Sequence, residues 1–176
     1  MSSLNKGIVK VEFKLKWDPS PAGSPVSDLD IVAAVFPGAA PQGPPAYLVY
    51  FDSRSPDGTI NLNRDSLDGQ GFGWDEVMTF ELERLSSSYG RVVVGVVVQQ
   101  GGGRWTFGDV AGKGALVQQG YEELMTDSLD SVAGSTAATV GEFVRNASGE
   151  WDFHAMLRGF DGDPDEFART MGRGTA

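Results

Sequence analysis

From Val9 to Trp17 the chain alternates without a miss: Val9, Val11, Phe13, Leu15 and Trp17 are apolar, and Lys10, Glu12, Lys14 and Lys16 stand between them. Side chains on a strand point to opposite faces in turn, so this period of two means a strand with one face in a core. The pattern returns near the end, where Trp151, Phe153, Ala155 and Leu157 face one way. Further strands are expected over residues 29–36, 46–52 and 77–82. Residues 91–99 form a nearly unbroken valine run, which reads as a central strand covered on both faces. Shorter strands are expected around Trp105, Leu116 and Leu124, and strands over 136–145 and 150–157 flank a hairpin signal at 146–149.

Turn chemistry separates these runs. Residues 37–45 are rich in Pro and Gly, and Ser-Pro-Asp-Gly at 55–58 has the order a type I turn favours. Only residues 163–172 read as a helix. Asp163 is a suitable N-cap, Pro164 suits the first helical position, and Asp165 and Glu166 lie where the helix dipole favours acids. Phe167 and Met171 share a face at i, i+4, and Gly172 can close the helix. The fold class expected is all-β: a β-sandwich of two largely antiparallel sheets with a short C-terminal helix, as one domain over residues 1–176.

A formal charge of −10 and a pI near 4.4 argue against nucleic acid, whose phosphates need clustered Lys and Arg. Lys6, Lys10, Lys14 and Lys16 do lie close together, but their alternation with apolar residues marks solvent-facing strand positions. The absence of cysteine removes disulfides, thiolate metal sites and cysteine nucleophiles, and fits a reducing compartment. No apolar segment opens the chain and none reaches membrane-spanning length, so the reading is cytoplasmic, without membrane insertion. An enzyme is not expected. The sole histidine, His154, falls on the polar face of its strand with Asp152, and nothing marks a nucleophile beside it. The glycines at 101–103 lack the Lys-Ser/Thr ending of a phosphate loop and read as a turn.

Chemistry concentrates in two acidic knots. Residues 65–76, DSLDGQGFGWDE, hold Asp65, Asp68, Asp75 and Glu76 with glycines at 69, 71 and 73. Upstream, Asp28 and Asp30 stand directly before an apolar strand. Carboxylates this dense repel one another unless solvent or a cation spreads the charge. Alternating glycines let a backbone curl and turn its carbonyls inward. Hard cations such as Ca²⁺ take carboxylate and carbonyl oxygens on flexible loops, so a calcium site is one reading. Solvated turns are the other. The loop is not an EF-hand, because Leu67, Gly69 and Gln70 stand where two ligands and the obligatory glycine belong.

The chain resembles the TerD family of bacterial tellurium-resistance and stress proteins. The resemblance rests on SLNKG near the start, KWDPSPAGSPVSDLDIVAAVF, FDSRSPDGTI, RDSLDGQGFGWDEV, TFGDV and the closing GEFVRNASGEWDFHAMLRGF. It implies a β-sandwich that binds Ca²⁺, usually two ions, and a role in resistance to tellurite and other stresses. Carried over position by position, Asp28 and Asp30 match the acids before the strand, and Asp65, Asp75 and Glu76 match acids of the loop. Asp52 falls where the family usually has asparagine, and Asp68 where it often has threonine. Phe72 and Trp74 replace acids of typical members, so one ion is expected rather than two. Two functions follow: a non-enzymatic Ca²⁺-binding stress protein, or a calcium-free scaffold that meets other proteins through the acidic loop.

Overall fold

The structure is a computed structural model that describes residues 7–23, 27–64, 73–101 and 103–173. One antiparallel sheet contains β1 (Lys10–Lys16), β4 (Ile60–Arg64), β5 (Glu76–Glu81), β7 (Gly114–Gln119) and β8 (Glu122–Asp127). Its strand order is β4-β5-β1-β7-β8. The second contains β2 (Leu29–Pro37), β3 (Tyr47–Val49), β6 (Tyr89–Val98), β9 (Ala137–Arg145) and β10 (Trp151–Phe160), in the order β10-β9-β6-β2-β3. The expected sandwich is present, closed by α1 (Pro164–Thr170).

Alternation explains which faces meet. Val11, Phe13 and Leu15 of β1 point into the space between the sheets and pack with Ile31, Ala33, Val35, Val92, Val94 and Val96 from the other side. Phe143 stands between Phe80 and Phe153, at centroid distances of 5.4 and 5.1 Å. Burial of this apolar surface is the main force holding the sheets together. The inward alternation starts at Val11 rather than Val9, and the residue buried before it is out of phase. Ile8, bridged to Trp151, is buried, whereas Val9 is 42% exposed.

The valine run does occupy the centre of its sheet. Its even members face the core, while Val93 and Val97 point outward and join Val32, Ala34, Phe36 and Ala137 under Phe167 and Met171 of the C-terminal segment. The second sheet is therefore covered in part on its outer face as well as on its inner one, as its continuous apolar strands require. Helix α1 is set by Asp163, whose Oδ1 accepts from Glu166 N at 2.8 Å. Arg91, itself buried, donates to the carbonyls of Pro41 and Gly172, each at 2.9 Å, and from Nε to Glu142 Oε1 at 2.7 Å. The segment after α1 is thus tied to the sheet. Gly172 serves close packing rather than a left-handed stop, since an added Cβ would run into the ring of Phe36.

Several expectations need correction. The strand expected over 46–52 ends at Val49, because Tyr50 and Ser53 exchange backbone hydrogen bonds of 3.0 and 3.1 Å and turn the chain. Trp105 is not in a strand. The side chain of Gln100 takes its N–H at 2.9 Å and its carbonyl at 2.8 Å, doing locally what a neighbouring strand would do. β4 has no counterpart in the sequence reading. Ala155 comes out exposed because the β9–β10 register shifts between Ala155 and Arg158. The two turn signals hold. Asp57 Oδ1 accepts from Thr59 Oγ1 at 2.7 Å and Thr59 N at 3.1 Å; burial pushes its carboxyl up, but these bonds outweigh that and hold it below the usual carboxylate range. At the hairpin, Asn146 Oδ1 accepts from Ser148 N, and Gly149 takes a positive φ of 82°.

Phe167 lies directly over Gly95, where a Cβ would stand 2.5 Å from its ring and 2.9 Å from the carbonyl oxygen of Ala138. Gly95→Ala is therefore expected to lift α1 from the sheet and cost about 1–3 kcal/mol through overpacking, read as a lower midpoint in urea unfolding. An unchanged midpoint would contradict this packing.

Candidate metal centre

The acidic end is built where three chain segments meet: the exit of β1, the start of β2 and the start of β5. β5 runs antiparallel to β1 with Glu76 opposite Leu15, so Asp75 and Glu76 emerge beside the end of β1. Asp75 extends that pairing twice. Its N–H donates to Leu15 O at 2.9 Å, and its Oδ2 accepts from Trp17 N at 2.8 Å. Trp17 then fixes the following loop, because its indole N–H donates to Ser27 O at 3.1 Å. Ser20 Oγ closes the same loop by accepting from Ser27 N at 2.7 Å.

Glu76 crosses between the sheets. It lies in the row of β5 that continues through Met78 and Phe80, both buried in the core. β3 pairs with β2 only across Ala33–Val35, so the start of β2 runs beyond its neighbour. The N–H of Ile31 there donates to Glu76 Oε1 at 2.7 Å. Ionised acceptors make the stronger class of hydrogen bond, and burial strengthens them further. Two loop acids therefore act on the main chain of two other segments.

Asp30 takes the other face of β2, on the side of Val32 and the outer cluster, and is buried with only 2% exposure. Gln99 holds both acids of the upstream knot: its side-chain amide donates to Asp30 Oδ2, and its backbone N–H donates to Asp28 O at 2.9 Å. Sequence reasoning missed Gln99. The signal was the end of the valine run, since Leu29 pairs with Val98 and the next residue must stand opposite Asp28. Asp52 sits exposed in the turn after β3. Asp65, Asp68 and Phe72 lie outside the described residues. Trp74 is half-buried with Lys16 Nζ 5.2 Å from its ring centroid, a cation–π contact.

As donors, these groups suit a hard cation: Asp28, Asp30, Asp75 and Glu76 offer oxygen only, and three of them are almost wholly buried. Among the described residues, however, no three carboxylates close into a group that could hold a metal ion. Any complete shell would draw on further oxygens.

The sandwich, the two acidic knots and their order along the chain coincide with a known domain. Residues 1–170 match the family model described as TerD domain. The chain belongs to the TerD family. The TerD domain here is 26% identical over 169 residues to tellurium resistance protein TerD of Serratia marcescens, covering 92% of this chain and 86% of that protein. It is also similar to a crystal structure titled as a homologue of telluride resistance protein (TerD) from Streptomyces coelicolor A3(2), at 56% identity and TM-score 0.92, covering 94% of this chain and 98% of that one. A crystal structure of a protein of unknown function, SAV2460, is 62% identical with TM-score 0.94, covering 96% and 99%. Among the described residues of this TerD domain, no helix is long and apolar enough to cross a membrane.

If Asp75 braces the exit of β1, Asp75→Ala leaves the N–H of Trp17 without its acceptor. It is expected to lower unfolding free energy by about 1–3 kcal/mol in chelator-containing buffer, whereas Asp52→Ala at the exposed turn should stay within about 0.5 kcal/mol. Equal urea midpoints for the two variants would refute the bracing role.

Proposed function

We propose that this chain is a non-enzymatic stress-resistance protein of the tellurium-resistance type, cytoplasmic, which binds one Ca²⁺ at its acidic end. The observation that supports the ion is the burial of carboxylates at the junction of β1, β2 and β5, with Asp30, Asp75 and Glu76 each at 2% exposure or less. Charges taken out of water this completely favour a counter-charge close by. Asp28, Asp30, Asp75 and Glu76 would hold the ion together with Asp65 and Asp68, with Asp52 as a further candidate. The ion would supply positive charge that ties loops together. The backbone bonds from Ile31 and Trp17 fix the orientation of Glu76 and Asp75, so part of the donor set is oriented by the fold itself. A binding role rather than catalysis fits His154, which is about half exposed and 3.8 Å from Glu142.

A second reading also has an observation behind it. Asp75 and Glu76 each already give one oxygen to a main-chain donor, which a purely structural acid would do. On that reading the domain is a calcium-free scaffold, and the loop bearing Phe72 and Trp74 meets a partner protein.

Calorimetric titration of chelator-stripped protein separates the two. The expected result is one bound Ca²⁺ and a higher melting temperature, with a gain of about 2.7 kcal/mol when free ion is a hundredfold above Kd. Mg²⁺ should do less, because it demands a tighter octahedral shell. Asp30→Asn should weaken binding by replacing a charged ligand with a neutral one. A melting curve unmoved by millimolar-range Ca²⁺ would leave the scaffold reading in place.

A further inference from the structure

The outward face of β2 and β6 is not fully covered by α1. Beside the helix a cavity of about 320 Å³ opens between the sheet, the turn after β3 and the side of α1. Val32, Leu48, Val97 and Ala168 give it apolar walls. Tyr50 and Phe51, set edge to face at 5.5 Å between centroids, line it as well, and Phe51 is 55% exposed. Asp30 and Gln99 line its inner end, the carboxylate buried to 2% exposure. Asp165 and Arg169 stand on the helix side, one turn apart.

Small-molecule sites are concave and mostly apolar, with a few placed polar groups, and begin near ~300 Å³. A cavity of about 150 Å³ already accepts benzene, so this one has room for a ring with a short arm. A buried carboxylate favours a cation through charge, and aromatic rings give an apolar body a surface to stack on. We propose that this cavity is a binding site for a small organic monocation with an apolar body, such as an arylalkylammonium. The ammonium group lies toward Asp30 and Gln99, and the apolar body lies against Leu48, Val97 and the Tyr50–Phe51 pair. The cavity shares Asp30 with the site proposed for Ca²⁺, and none of its other lining residues belongs to that site.

The test uses phenethylamine as probe, titrated by calorimetry and by amide NMR shifts into the full chain in calcium-free, chelator-containing buffer. Saturable binding is expected, at least tenfold tighter than for the neutral isostere 2-phenylethanol, with shifts centred on Val97, Gln99 and α1. Ala168→Trp, which fills the cavity from the half-buried side of the helix, should abolish it, and Asp30→Asn should erase the preference for amine over alcohol. Absence of saturable binding, equal affinity for amine and alcohol, or full binding by a folded Ala168→Trp variant would each overturn the proposal. The amine–alcohol comparison is made on the unmodified protein, so it decides the matter even where a variant does not fold. Because calcium is absent throughout, Ca²⁺ binding and amine binding can fail independently.

Discussion

The carboxylate of Glu76 reaches from one sheet to the backbone of the other, and the acidic end of the molecule takes its form from that bond. The N–H of Ile31 lies beyond the reach of the short strand β3, so it needs an acceptor from elsewhere. Glu76 supplies one from the core row of β5, and Asp75 does the same for Trp17 at the end of β1. Once these bonds are made, the loop after Trp17 is drawn in through the indole bond to Ser27. The start of β2 then stands beside Gln99, which donates to the backbone carbonyl of Asp28 and the carboxylate of Asp30. Two acids that look like ligands in a list of residues act here as braces between chain segments.

The opposite face of the second sheet follows a different logic. Continuous apolar strands leave no polar side for water, so the chain returns and lays Phe167 and Met171 over Val32, Ala34, Val93 and Val97. Glycine at positions 95 and 172 lets aromatic rings approach the backbone. Arg91 then locks the returning segment by bonds to Pro41, Gly172 and Glu142. A seven-residue helix cannot cover five strands, and the gap it leaves beside Asp30 is the cavity to which an organic cation is assigned.

Much of the architecture was legible because period-two patterning and turn residues are local signals. β1, β2, β5, β6, β9 and β10 lie where alternation or valine density put them, and the helix begins where Asp163 and Pro164 announce it. What escaped was set by distant partners. Ile60, Asn61, Leu62 and Asn63 form β4 only because β5 offers an edge. Trp105 has strand-like composition, but the Gln100 side chain takes its backbone groups. At the acidic end, the motif identified Asp75 and Glu76 as oxygen donors, but no sequence signal told that Ile31 and Trp17 would be their donors, since those pairs are 45 and 58 residues apart. Gln99 closes the valine run, but its partner Asp30 lies 69 residues away, so the run alone did not mark it as part of the site.

Membership of the TerD family and the brace at the junction together make a domain whose acidic end is organised by hydrogen bonds from the main chain to its own carboxylates. Amide hydrogen exchange of the chelator-stripped protein, followed residue by residue by NMR, tests this most directly. The N–H groups of Ile31 and Trp17 should be protected to the same degree as those of the central strand β6, and addition of Ca²⁺ should change that little. Exchange of both amides at the rate of an open chain, with protection appearing only after Ca²⁺ is added, would contradict it.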